Sequence, residues 1–194
     1  AWQQKSLRTY ATDVEAKAML ALVGLSTLGL SIYIWALDVY PDFGTSLRHV
    51  AFNLVSIATD CGFVSQDYAV WPVFAPMWIL MLSCYCANTG STGGGIKMFR
   101  SLIMIKQFFR EMFVLVHPSA VAPLKIAGAV ISNRVVYSVL AFIFVYFMTV
   151  VILTFALLFT NMDFTSALTA TVASINNAGP GLGQVGPATN YGSL

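Results

Sequence analysis

The sequence predicts an all-α integral membrane protein, in which long membrane helices alternate with short re-entrant helices. Hydrophobic residues make up 58% of the 194 residues and charged residues only 9%, whereas soluble domains carry about 25% charged residues. Two uncharged runs, residues 18–37 and 135–160, are long enough to cross a hydrocarbon core of about 30 Å. Two shorter apolar stretches each end in a glycine-bearing turn, which favours re-entrant segments.

The first half of the chain contains one membrane helix, one short helix and a second membrane run. Residues 18–37 form the first membrane helix. Residues 47–59 are apolar but too short to span a bilayer, so they suit a re-entrant helix that ends in a turn at residues 60–63. The second run covers residues 69–87, and Pro76 inside it is expected to kink the helix.

A glycine-rich break at residues 88–95 ends the second membrane run. Its four glycines disfavour a helix, because each costs about 0.8–1 kcal/mol relative to alanine. Residues 96–116 resume as an apolar segment with four basic side chains, so much of it is expected at the cytoplasmic interface. The letters of the break resemble a phosphate loop, but Ile96 precedes Lys97 and a membrane helix precedes the glycines, which excludes that motif.

The second half of the chain repeats the order of the first. The membrane helix at residues 135–160 is followed by a short helix at residues 164–175 and a glycine-bearing loop at residues 176–183. The glycine turns of the two halves align at Gly62 and Gly179, 117 residues apart (179 minus 62).

We therefore predict two units in the chain. Residues 1–120 form a repeat of membrane helix, short helix and membrane helix with a broken second helix, and residues 121–194 form a second repeat that is truncated after its glycine-bearing loop. Charge gives the orientation, because residues 1–17 and 96–134 carry nine of the ten lysines and arginines. The positive-inside rule puts both segments in the cytoplasm, so both glycine turns face the outside.

Each unit places a short helix before an irregular loop, an arrangement that suits cation binding. Irregular backbone at membrane depth lines water or is buried in protein. The carboxyl end of a helix is partly negative, and glycine allows backbone angles that turn carbonyl oxygens toward an axis. The candidate ion ligands are the backbone carbonyls of Thr59, Asp60, Cys61, Gly62 and Phe63 in the first loop and of Asn176, Asn177, Ala178, Gly179 and Pro180 in the second.

Asp60 is an unusual charge beside such a loop. One interpretation is that its carboxylate attracts cations toward the mouth of the pore. The other is that it is a structural acid hydrogen-bonded to the short helix, and the sequence leaves both open.

Several motifs, in this order along the chain, resemble those of a known transporter family. They are Ala-Thr-Asp-Cys-Gly-Phe at residues 58–63, Gly-Ser-Thr-Gly-Gly-Gly-Ile-Lys at residues 90–97 followed by Arg100, His117-Pro118 with residues 133–136, and Asn-Asn-Ala-Gly-Pro-Gly-Leu-Gly at residues 176–183. Together they resemble the Trk/Ktr/HKT superfamily of potassium transporters, and its bacterial branch in particular.

The resemblance implies a potassium-channel-like fold with four membrane helix–pore helix–membrane helix repeats around one pore. This chain would supply the third repeat and most of the fourth, with two re-entrant filter loops. It implies potassium uptake through a channel-like pore across the bacterial inner (plasma) membrane, with K⁺ as the transported ion and no cofactor. The K⁺ ligands would be the carbonyls around Gly62 and Gly179, and a gate would be formed by Gly90, Ser91, Thr92, Gly93, Gly94 and Gly95.

The resemblance also implies partners. These are the rest of the four-repeat pore, a second copy in a homodimer, a cytosolic nucleotide-binding regulatory subunit and the lipid bilayer. No nucleic acid is expected.

Two alternative functions stay open. A Na⁺/K⁺ secondary transporter (ion symporter) of the same superfamily would need an acid or base deep in the membrane, and the central membrane runs contain none. A non-conducting membrane scaffold would leave cation flux independent of Gly62. No Ser/His/Asp or Cys/His set has partners that are expected to meet, so the chain is not expected to be an enzyme.

Overall fold

The structure, a computed structural model, describes residues 13–119 and 122–189. Within these ranges it confirms the predicted all-α class. Its helices are α1 (Val14–Ala36), α2 (Phe43–Ala58), α3 (Phe74–Ser83), α4 (Met98–Val116), α5 (Asn133–Leu158) and α6 (Phe164–Asn176), with short 3-10 helices at Tyr68–Val70 and Gly183–Val185. Residues 1–12 of the predicted cytoplasmic segment, residues 120–121, and residues 190–194 of the predicted second unit lie outside the described residues.

Among the described helices, α1 and α5 are long and apolar enough to cross a membrane. Both carry large apolar side chains that the rest of the described chain leaves exposed, such as Leu25 (71% exposed), Phe144 (65%) and Phe155 (63%). A surface of this kind needs lipid or another protein segment around it. The exposure therefore fits the predicted membrane class.

Aspartate caps fix where the two short helices begin. Helix α2 starts at Phe43, four residues earlier than predicted, because the Thr45 amide and hydroxyl donate to the Asp42 carboxylate at 2.7 and 2.8 Å. Helix α6 starts in the same way, with the Ser166 amide 3.0 Å from Asp163 Oδ2. The bonds from Thr45 lower the pKa of Asp42.

The second apolar run is less helical than predicted. Helix α3 covers only ten residues of the predicted 69–87. Pro76 lies in its first turn, where the missing amide proton would have no helical acceptor. The predicted kink is wrong, because Pro76 lies in the first turn of α3 and has no preceding turn of that helix to bend away from.

A small antiparallel hairpin precedes α5, which the sequence analysis did not predict. Its strands are β1 (Lys125–Ile126) and β2 (Ala129–Val130). Ala127 and Gly128 form the two-residue turn with φ values of 51° and 82°, as tight hairpin turns require. Lys106 Nζ on α4 donates to the Lys125 carbonyl oxygen at 2.7 Å, which ties the hairpin to that helix.

The buried apolar side chains of the described residues form two main clusters. The first joins α1, α2 and α3 and includes Ile34, Leu54 and Ile79. The second joins α4 and α5 and includes Ile103 and Ile143. Helix α4 contributes Met98 to the first cluster and Ile103 to the second, so it packs against both halves of the described chain.

Candidate functional site

The loop after α2 begins with a left-handed helix cap. Asp60 has a φ of 58°. Its amide donates to the Ile57 carbonyl at 3.1 Å, and the Cys61 amide reaches back to the Ser56 carbonyl at 2.8 Å. This pair of bonds is the Schellman pattern, which ends a helix and turns the chain sharply away from its axis.

The loop after α6 repeats the same cap 117 residues later. Asn177 has a φ of 62°. Its amide donates to the Ser174 carbonyl at 3.3 Å, and the Ala178 amide donates to the Ala173 carbonyl at 2.9 Å. The spacing of 117 residues between Gly62 and Gly179 therefore also separates the two helix caps. The backbone leaves α2 and α6 with the same hydrogen-bond geometry.

The two predicted filter loops meet at their glycines. Gly62 has a φ of 74°, and a Cβ built on it would lie 3.0 Å from the Ala178 carbonyl oxygen. Gly179 has a φ of 91°, and a Cβ built there would lie 3.7 Å from the Gly62 Cα. Any side chain at residue 62 would be strained and would press on the other loop. The structure thus places the two predicted glycines close to each other.

The remaining predicted ligand residues differ in exposure. Thr59 anchors its hydroxyl on α2 by donating to the Val55 carbonyl at 2.7 Å. Ala178 is buried, and Pro180 is half-buried. The exposed members of the two loops are Thr59, Cys61, Phe63, Asn177 and Gly179.

The predicted gate loop folds back between the end of α3 and the second filter loop. The Ile96 amide donates to the Cys84 carbonyl at 2.8 Å, which returns the chain to α3. The Gly94 amide donates to the Asn176 carbonyl at 2.9 Å. A Cβ on Gly94 would overlap the Ile175 carbonyl oxygen, so only glycine allows this approach. The gate loop and the second filter loop are therefore in direct contact.

Asn176 is the centre of a buried hydrogen-bond network that links three helices. Its side chain is fully buried. Its Oδ1 accepts from the Tyr146 hydroxyl on α5 at 2.9 Å, and its Nδ2 donates to Ser83 Oγ on α3 at 3.1 Å. The same Nδ2 lies 3.3 Å from Cys84 Sγ. Since its carbonyl also holds Gly94, Asn176 ties α3, α5, α6 and the gate loop together.

The sequence analysis did not identify Tyr146 and Ser83 as partners of Asn176. Both are polar residues inside apolar runs, and such residues usually pair with one another at membrane depth. That signal marks the residues as candidates, although it does not say which of them meet.

Asp60 points toward the gate loop. Both carboxylate oxygens are buried, and neither accepts a hydrogen bond of ordinary geometry from the described residues. A Cβ built on Gly93 would overlap Oδ2, so this oxygen is in contact with the gate loop. The interpretation of Asp60 as an acid hydrogen-bonded to the pore helix is therefore wrong for the described residues.

Comparisons with known proteins agree on one family. Residues 4–191 match the family described as TrkH, cation transport protein. The Trk system potassium uptake protein TrkH of Salmonella typhimurium is 34% identical over 190 residues, which are 98% of this chain and 39% of that protein. The Trk system potassium uptake protein TrkG of Escherichia coli K12 is 32% identical over 98% of this chain and 39% of its own length.

A solved structure gives the same result for the fold. The crystal structure of the potassium transporter TrkH from Vibrio parahaemolyticus matches with a TM-score of 0.87 and 33% sequence identity. The match covers 95% of this chain and 41% of that one. This chain therefore spans about two fifths of the length of these relatives, and the family resemblance seen in the sequence motifs is confirmed.

Proposed function

Because the chain belongs to the TrkH family of cation transport proteins, we propose that it forms part of a potassium-uptake protein of the bacterial inner membrane. Its relatives are named as potassium uptake proteins and a potassium transporter. The chain spans about two fifths of their length, so the proposed pore is completed by further repeats. Residues 1–120 and 121–194 would be two of the four repeats.

The meeting of the two loops at Gly62 and Gly179 is the observation that carries this proposal. Both pore helices end in the same type of cap. Their partly negative carboxyl ends therefore lie near the point where the two loops meet. A potassium ion that has lost its water would bind there to the carbonyls of residues 59–63 and 176–180. Each loop has only one glycine at the matched position, so weaker K⁺ over Na⁺ selectivity is expected than in a glycine-rich filter.

The gate would be the loop Gly90–Gly95, held below the filter by Asn176. In the described conformation the Gly94 amide is bonded to the Asn176 carbonyl. One such bond contributes about 0.5–1.5 kcal/mol net, so it can hold a loop closed and still be broken during opening. The glycines let the loop adopt another backbone conformation at low cost.

Orientation and partners follow from the charge distribution and the family. Asp42 and Asp163 cap the pore helices on the proposed outer side. The basic segment 96–134, with α4 and the hairpin, faces the cytoplasm. A cytosolic nucleotide-binding regulatory subunit would act on this face, and a second copy of the protein would complete a homodimer.

A Na⁺/K⁺ symporter is the second candidate, because both carboxylate oxygens of Asp60 are buried, as in the acids that ion coupling uses. The full-length protein, reconstituted in liposomes, separates the two. A channel-like pore passes K⁺ down its own gradient when Na⁺ is absent from both sides. K⁺ flux that requires a Na⁺ gradient would contradict the channel proposal, and no flux under either gradient would favour a scaffold.

A further inference from the structure

An open basic cavity lies between α4 and α5 on the proposed cytoplasmic side. Its volume is about 460 Å³. Helix α4 contributes Arg100, and α5 contributes the rest of the lining, which is Arg134, Val135, Ser138, Val139 and Phe142. The cavity thus combines two arginine residues with an apolar wall.

Neither arginine has an acidic partner among the described residues. All eight aspartates and glutamates of the chain are among the described residues. The ion pair formed among those residues joins Arg110 to Glu111, outside the cavity. The Arg100 guanidinium lies 4.0 Å above the centroid of the Phe142 ring, which positions it without neutralising it. Two uncompensated positive charges on one cavity favour binding of an anion.

The length of α5 indicates how deep in the proposed membrane the cavity lies. The helix has 26 residues and is about 39 Å long at 1.5 Å per residue, whereas the hydrocarbon core is about 30 Å thick. Counted from Leu158 at the outer end, the core ends near Val139. Arg134 and Ser138 then lie among the lipid headgroups, and Phe142 lies about one turn inside the core.

We propose that this cavity binds the phosphate of an anionic phospholipid from the cytoplasmic leaflet. Arg100 and Arg134 would hold the phosphate, since guanidinium groups bind phosphate oxygens in pairs. Phe142 and Val135 are 38% and 44% exposed, so they offer apolar surface to the acyl chains. This apolar wall favours a lipid over free phosphate, and basic pockets between membrane helices commonly bind such headgroups. The proposal uses the proposed orientation but not the filter or the gate.

Native mass spectrometry of the full-length protein tests this site. The protein is presented with phosphatidylglycerol and phosphatidylcholine in competition, and the bound lipid is counted. Wild type should retain phosphatidylglycerol, and Arg134→Gln should bind it about tenfold more weakly. Arg110→Gln is the matched control, because Arg110 is a cytoplasmic arginine of α4 already paired with Glu111 and Asn133.

The same experiment separates the alternatives. Inorganic phosphate at millimolar concentration should not displace the lipid, and displacement would assign a free anion instead. Equal retention of the two lipids by wild type would overturn the proposal without reference to any variant. Equal losses of bound phosphatidylglycerol in Arg134→Gln and Arg110→Gln would also overturn the proposal. Binding would then depend on the overall surface charge and not on this cavity.

Discussion

Replacing Tyr146 by phenylalanine tests whether the network around Asn176 holds the gate closed. The change removes one hydroxyl and leaves the ring in the core between α4, α5 and α6. Asn176 Oδ1, which accepts from that hydroxyl at 2.9 Å, then loses the donor that α5 supplies. The side chain is fully buried, so water cannot replace the donor while the gate loop stays in place.

The size of the effect follows from the cost of an unsatisfied buried acceptor, about 1–3 kcal/mol. Opening the loop breaks the Gly94–Asn176 bond and admits water to Asn176, so the open state does not carry this cost. The closed state is therefore disfavoured by about the same amount. Since about 1.4 kcal/mol is a factor of ten in an equilibrium, the open population should rise about five- to 150-fold until it saturates.

The assay is basal K⁺ flux through the full-length protein in liposomes without any regulatory subunit. Thr149→Ala is the matched control, because among the described residues its hydroxyl bonds only to the Val145 carbonyl of its own helix. The control should keep wild-type flux. If Tyr146→Phe folds normally and its flux stays at or below wild type, Asn176 does not hold the gate and the reasoning fails.

Three further predictions concern the gate, the topology and a helix cap. Deleting Gly90–Gly95 should raise basal K⁺ flux, and flux at or below wild type would count against a gate. Cysteines placed at Asp67 and Lys106 should react with impermeant reagents from opposite sides of the membrane, and same-side labelling would overturn the topology. Ser166 holds the pKa of Asp163 below 3.8, so the stability from this acid is present at neutral pH and is lost as the pH falls through the lowered value. Asp163→Asn, which still caps α6, should weaken the acid-induced fall in Tm, and an unchanged fall would refute the link.

The fold was predictable because membrane helices are determined by local properties. Run length, charge and glycine placement marked both spanning helices, both short helices and the turns at Gly62 and Gly179. Helix ends were predicted less well, because they depend on caps. Asp42 extends α2 to Phe43, and Pro76 lies in the first turn of a helix that it was expected to bend.

The contacts within the candidate site could not be predicted from one sequence. Ser83, Gly94, Tyr146 and Asn176 are far apart along the chain and meet only through packing of α3, α5 and α6. The direction of the Asp60 side chain also depends on tertiary structure, since its left-handed backbone turns it toward Gly93. Polarity within an apolar run identifies such residues, while their pairing depends on the fold.

The K⁺/Na⁺ permeability ratio of a Gly62→Ser variant tests the filter assignment most directly. The serine Cβ would lie 3.0 Å from the Ala178 carbonyl oxygen on a backbone with φ of 74°, so both loops must shift. Gly24→Ser on α1 is the control, because a Cβ there meets nothing within 4 Å. The account predicts a lower K⁺/Na⁺ ratio for Gly62→Ser and an unchanged ratio for the control. A wild-type ratio in a normally folded and conducting Gly62→Ser protein would contradict it.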